Sequence, residues 1–586
     1  MKPKLIPKMD FTEGVPKEYS TMVVVPSILK DADDVRKVFE RLEVYYLANK
    51  SENIYCTALG DPSTGTKSKE DKDEGLLNEG LYQVKRLNEK YGKNIFGFAY
   101  RKRVWNDGEK CYMGWERKRG LLTEISNFLL DKRSKNSFLV NTLEKENLDI
   151  KYIITLDADT ELTLNSGIEL IEAMAHILNT PIVKDKIVIS GYGIMQPRVG
   201  INLEESKKSV FAEIFAGSGG VDSYTNAISD TYQDNFGEGI YTGKGIYDLA
   251  VFCECLKDKI PENTVLSHDL LEGSYLRCGL ASDIMLLDGY PKSYLAYLSR
   301  LERWIRGDYQ ITPWLARKSG LNKLSKFKIL DNIRRSLIEI TAILNVILLL
   351  CFKAFFGERI SIPLTITLLS IVISSVLEFI NYIVFRKENI KRQKRFSKSI
   401  DGLLGAFYRG SISIMVLPSL AYISLKAIVK TIYRMKKSKE HLLEWTTSEE
   451  AERLSKNSVS TLYSKMFANV LIGIFIAFLT FSMNMHIFAK GLILDLAFLW
   501  FLAPLLMWEI SKESVKPKAL KKLSFDEISY IKNIAEKTWN FFLENMNKEE
   551  SFLPPDNFQE SRREKIVSRT SSTNIGLRTF NNSFCI

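Results

Sequence analysis

The sequence predicts an α/β domain built on a mostly parallel sheet, followed by a membrane-spanning helical region and a short helical tail. Three observations carry this expectation. Over residues 1–330, short β-branched runs alternate with segments of helical spacing, as in a sheet with helices on both faces. Between about 337 and 509 lie apolar runs near the length of a bilayer-crossing helix. Basic stretches flank those runs, as cytoplasmic flanks do.

The first strand is "TMVVVPSIL" (21–29), closed by a loop at Pro26 and beyond. "DADDVRKVFERLEVYYLANK" follows, with Val35, Val38, Phe39, Leu42 and Tyr46 at helical spacing and acids at its start, where the helix dipole favours them. "NIYCTALGDP" is a second strand ending on Asp61, and "STGTKSKEDKDEG" is a polar loop. A helix, the strand "NIFGFAY", the helix "RGLLTEISNFLL" and the strand "YIITL" continue the alternation. In such sheets ligands bind beyond the carboxyl ends of the strands. Asp61, Asp157 and Asp159 all fall at such ends.

The membrane region is expected over 331–510, with spans at about 337–355, 361–385, 467–489 and 491–509. The stretch 403–430 holds Arg409, Gly410 and Pro418 and has basic segments on both sides. It is read as interfacial or re-entrant, because positive flanks at both ends keep both on the same side. Four crossings put the 1–330 domain and the basic segment "SKESVKPKALKK" together in the cytoplasm. The polar opening "MKPKLIPKMDFTEGVPKEYS" is no signal peptide.

The net charge of +11 fits those flanks better than a nucleic-acid partner. Seven cysteines, in no zinc-like spacing beyond the lone "CEC" at Cys253 and Cys255, and four scattered histidines argue against a disulfide framework and a zinc or haem site.

Five stretches can carry chemistry. "TLDADT" sets Asp157 and Asp159 one residue apart at a strand end, where paired carboxylates can hold a hard divalent cation that grips phosphate; a solvated turn is the plainer alternative. "MGWERKRGLL" puts Arg117, Lys118 and Arg119 beside Gly120 at a helix start, suited to an anion or simply a solvated basic face. "EGIYTGKGIYDL" offers close backbone approach and Lys244, but lacks the hydroxyl residue a P-loop needs after its lysine. In "LSHDLLEGSYLRCGL", Asp269 and Glu272 lie one helical turn apart; a carboxylate there can be a general base, and a surface helix with two acids is the alternative. "SRLERWIRGDYQITPWL" repeats Arg300, Arg303 and Arg306 around Trp304. Arginines bind pyrophosphate and an indole can stack on a sugar, although a basic interfacial helix has the same look.

The order of these motifs resembles the family-2-like GT-A (Rossmann-like) glycosyltransferases that build polysaccharides at membranes. Their pattern runs base-binding Asp, DxD, catalytic Asp and Q/RxxRW, then transmembrane helices. This chain has Asp61, "DAD", "HD" and "RLERW", with Arg300 where cellulose and hyaluronan synthases carry glutamine. More closely, "WERKRG", "TLDADT", "QPRV", "GKGIYD", "SHDLLEG", "RWIRGDYQ" and "HLLEWTT" resemble the transferase part of cyclic β-1,2-glucan synthases (family 84), over nearly all of 1–510.

The resemblance implies a UDP-glucose donor, a glucan acceptor, Mg²⁺ or Mn²⁺ on Asp157 and Asp159, and Asp269 as base, with Glu272 the next candidate. It implies Asp61, Lys118, Arg119, Lys244, Arg300, Arg303, Trp304 and Arg306 around the donor. It places the chain in a bacterial inner membrane with the transferase cytoplasmic. Residues 511–586 look like the start of a glycoamylase-like helical domain, so the chain is expected to be short of the family at both ends. A lone segment of that kind cannot bury its apolar face, and cyclisation would fall to a separately encoded glycoside phosphorylase-like or glycoamylase-like partner. Two other readings fit the same residues: an inactive fragment of such a synthase, or a synthase of another β-glycan.

Overall fold

The structure, a computed structural model, describes residues 4–146, 148–216, 230–316, 319–357, 360–384, 403–444, 457–514, 524–548 and parts of 551–575. The basic segment 386–398, most of 511–522 and the last three residues of "HLLEWTT" lie outside the described residues.

The strands are β1 (Thr21–Leu29), β2 (Ile54–Pro62), β3 (Phe96–Arg101), the hairpin β4 (Val104–Asn106) and β5 (Cys111–Met113), β6 (Phe138–Asn141) and β7 (Tyr152–Thr155). A second hairpin, β8 (Ile182–Lys184) and β9 (Ile187–Ser190), precedes β10 (Ile194–Ile201), β11 (Gly245–Asp248) and β12 (Cys278–Asp288). Eight of them form one sheet in the order β12-β10-β11-β7-β1-β2-β3-β6. The centre, β7-β1-β2-β3, is parallel. Outside it, β6 and β11 pair antiparallel to their neighbours, so the sheet is mixed, with its parallel part confined mainly to the centre.

Helices α1 (Ala32–Ala48), α2 (Lys72–Tyr91), α3 (Arg117–Leu130) and α4 (Ser166–Ala175) cover the sheet. Along β1 the side chains alternate between two cores. Val23 and Val25 pack with Val35, Phe39 and Leu42 of α1; Met22 and Val24 pack with Leu121, Leu122 and Ile125 of α3. Burial on both faces explains why the strand reads as a continuous apolar run. Asp31 caps α1 by accepting from the Asp34 N–H at 2.9 Å, which fixes where the chain turns after β1.

From β1 the chain adds β2 and β3 on one side and β7 on the other. The β1/β7 junction is therefore a topological switch point, where a crevice opens beyond the strand ends. The short helix α5 (Asp269–Tyr275) and the long α6 (Tyr294–Gln310) follow the same edge.

α7 (Lys323–Phe356), α8 (Ser361–Val384), α9 (Leu403–Met415), α10 (Leu417–Tyr433), α11 (Phe467–Ser482) and α12 (Ile487–Ile510) form the helical region. α7 and residues Ala489–Ile510 are each long and apolar enough to cross a bilayer. α9 meets α10 at 61°, and the segment Val459–Lys465 meets α11 at 67°; each bent pair is a broken span or a re-entrant loop. The bend in 403–430 falls beside Pro418, in the first turn of α10, where proline's missing N–H costs no helical bond. The Tyr294 and Ser419 hydroxyls, 2.7 Å apart and buried, tie α6 to α10.

Residues Val515–Ile586 form a separate compact unit. Its helix α13 (Phe525–Asn545) opens with a capping box of Ser524 and Glu527. Phe525, Tyr530 and Ile531 are exposed on it.

Candidate functional site

A cavity of about 960 Å³ lies at the switch point. The ends of β1 and β2, the turn after β7, the start of α3, the 240–244 loop, the start of α5 and one side of α6 all line it.

Asp157 lies two residues beyond β7, and its carboxylate is gripped from two directions. Lys118 Nζ donates to Oδ1 at 2.5 Å and to the Gly243 carbonyl at 2.8 Å. Lys244 Nζ lies 3.3 Å from Oδ2 and also pairs with Asp288. Burial alone would raise the Asp157 carboxyl, but the two ammoniums override it and hold it well below the usual carboxylate range. Lys244 is buried too, yet Asp288 and Asp157 keep its ammonium firmly charged. Asp159, two residues on, is exposed and lines the cavity. Among the described residues no hydrogen bond or ion pair engages it. Two lysines facing one carboxylate and a second carboxylate left open suit a diphosphate and a divalent cation together.

Asp269 begins α5 and lines the same cavity. Burial pushes its carboxyl above the usual range; His268 and Lys118 oppose the shift and Glu272 adds to it. Gly243 is what lets the 240–244 loop pass this close. Its φ is +90°, and a Cβ there would come within 2.8 Å of Asp269 Oδ1. Glu272, expected to share the cleft, is only 2% exposed, and His268 Nδ1 lies 2.8 Å from its Oε1. The side chains of His268, Asp269 and Glu272 are close enough together to hold a cation themselves.

Asp61 also lines the cavity, but both its oxygens are taken: Arg101 Nε donates to Oδ1 at 2.7 Å and Nη2 to Oδ2 at 2.8 Å. The same guanidinium donates to the carbonyls of Trp115 and Arg117, each at 2.9 Å. It thereby holds the turn entering α3, where Glu116 and Arg117 both have φ of 51°, a conformation side-chain-bearing residues avoid. Arg119 reaches Glu116 Oε2 at 2.5 Å and the Ile260 carbonyl at 3.2 Å.

The arginines of α6 divide. Arg300, Arg303 and Trp304 line the cavity, with the Arg300 guanidinium 4.8 Å from the Trp304 ring centre. Burial and the neighbouring Arg300 charge push Arg303 down to about 10. Arg306 instead donates to the backbone carbonyls of Glu444 at 2.9 Å and His441 at 3.2 Å. The reason is helical: at 3.6 residues per turn, each step of three falls about 60° short of a full turn. Six residues after Arg300 the side chain has swung to another face.

The structure thus gathers Asp61, Lys118, Arg119, Asp157, Asp159, Lys244, Asp269, Arg300, Arg303 and Trp304 around one cavity, and sets Glu272 and Arg306 behind its wall. Sequence reasoning missed Arg101 and Asp288. Asp288 ends β12 as an acid after an apolar run, the same signal that marks Asp61.

No family model matches the chain. The solved mannosyltransferase PcManGT from Pyrobaculum calidifontis, in complex with GDP-Man and Mn²⁺, aligns over 74% of this chain and 92% of its own, at 10% identity and a TM-score of 0.34; a likeness so loose transfers nothing to individual residues. The sequence comparison is of another kind, and it agrees with the motifs. Over 98% of its length this chain is similar to a segment, 20% of the whole, of the cyclic beta-(1,2)-glucan synthase NdvB of Rhizobium meliloti (strain 1021), at 33% identity.

Proposed function

We propose that this chain is the sugar-transferring part of a membrane glucan synthase, moving glucose from UDP-glucose onto a β-1,2-glucan with inversion at the anomeric carbon. The observation that carries the reading is the pairing, in one cavity, of a lysine-clamped Asp157 and an open Asp159 with the half-buried Asp269. The similarity to the glucan synthase segment supports the choice of sugar and linkage.

Asp269 accepts the proton of the acceptor hydroxyl as that oxygen attacks C1 of glucose, and the bond from C1 to the diphosphate breaks with its electron pair leaving on UDP. The raised carboxyl of Asp269 suits a base. Lys118, Lys244 and Arg303 supply fixed positive charge where the leaving diphosphate gathers negative charge. The Asp157–Asp159 pair suits Mg²⁺ or Mn²⁺, with Asp159 as the ligand free to take it. A bound divalent ion would neutralise phosphate oxygens. Asp61, fixed by Arg101, borders the donor side. The apolar helices support a membrane location; in this reading the membrane is a bacterial inner membrane and the sheet domain faces the cytoplasm.

The test is product linkage. Membranes containing the chain, given labelled UDP-glucose and Mg²⁺, should yield a glucan whose methylation analysis reports 2-linked glucose. Another linkage would make it a synthase of a different β-glycan, and no polymer would favour an inactive segment.

A further inference from the structure

The cavity wall includes a part that the diphosphate does not explain. α7 contributes Arg335, Ser336 and Glu339, and α10 contributes Ser424. α7 is one of the helices apolar and long enough to cross a bilayer. A carboxylate on such a helix is costly unless it faces a polar cavity or a partner. Among the described residues, no other residue's hydrogen bond and no ion pair engages the Glu339 side chain. Arg335, one turn away, is occupied with Asn332 at 2.7 Å.

Glu339 is also placed electrostatically. Burial first, and then the Glu339 charge, push the Tyr297 phenol on α6 up to about 12, with Arg300 opposing. Arg300 and Trp304 of that helix, stacked on each other, line the same cavity as Glu339. A negative charge here disfavours phosphate, whereas the wall around Asp157, with Lys118 and Lys244, favours it. What suits Glu339 is a neutral, hydroxyl-rich group: a carboxylate can accept from two vicinal sugar hydroxyls at once, and an indole face can lie against the ring carbons.

We propose that Glu339, with Ser424 lining the same cavity, forms an acceptor-sugar subsite that holds a glucose unit of the growing glucan. The inference rests on the transferase reading above and extends that cavity onto the membrane helices. Removing Glu339 takes away a half-buried charge with no partner, so its variants should fold at least as well as the parent.

The experiment is binding to the purified full chain, followed by tryptophan fluorescence, with UDP and a linear β-1,2-linked glucose oligosaccharide as separate probes. Glu339→Ala should weaken oligosaccharide binding about tenfold or more. Glu339→Gln, which keeps one acceptor oxygen, should lose less, and UDP affinity should stay unchanged in both. Unchanged oligosaccharide affinity in Glu339→Ala would overturn the proposal, as would an equal loss for UDP. Parent protein that binds UDP and no oligosaccharide would overturn the subsite alone; parent protein that fails to bind UDP would strike the transferase reading and take the subsite with it.

Discussion

Lys118 Nζ sits 2.5 Å from Asp157 Oδ1, joining the start of α3 to the turn after β7 in the lining of the cavity. The pair brings a helix-start cation and a strand-end carboxylate to the place where a diphosphate would lie. Lys118→Met should therefore weaken UDP binding by roughly ten- to a hundredfold, the cost of one charge-assisted contact. Isothermal titration with UDP would show it, and an unchanged affinity would remove Lys118 from the donor site.

Asp159 is the open carboxylate of the pair. Asp159→Ala should abolish the stimulation of UDP release by added Mg²⁺ or Mn²⁺, leaving a low rate that no longer depends on the ion. A metal response that survives in Asp159→Ala would direct attention to the His268, Asp269 and Glu272 cluster.

Asp269 should set the acid limb of the pH–rate profile. Burial holds its carboxyl above the ordinary value of about 4, and a base works only when deprotonated. Activity should thus fall as pH drops through that raised value, not through the ordinary carboxylate range. The His268 charge opposes the shift, so His268→Gln should move the limb to higher pH. A limb that stays put or moves lower contradicts the assignment.

Arg101 and Asp61 are both buried, and removing one strands the other's charge. Arg101→Ala should cost about 3–5 kcal/mol of stability, visible as a lowered thermal midpoint of the solubilised chain. A midpoint within a degree of the parent would mean that water reaches Asp61.

Much of the site was legible because its signals are local. An apolar strand that stops on "DAD" announces a strand-end carboxylate pair, and Asp269 stood out beside a histidine at a helix start. The parts that escaped depend on distance in the chain. Arg101 follows a strand in "YRKR", where any arginine looks solvated; only the sheet order brings it onto Asp61, 40 residues earlier. Glu339 lay within an apolar stretch whose hydropathy points to a membrane helix and hides its single acid. The antiparallel direction of β6 and β11 was not readable, since a buried strand is apolar whichever way it runs. Arg306 was grouped with Arg300 and Arg303 by their spacing, and the turn of the helix separated them.

The most direct measurement is UDP release from UDP-glucose and Mg²⁺ by membranes holding this chain, beside the Asp269→Asn variant. The account predicts release by the parent and a fall of about 10²–10⁴-fold in the variant, with UDP binding unchanged. Equal release from both would take the base role from Asp269 and contradict the mechanism built on it.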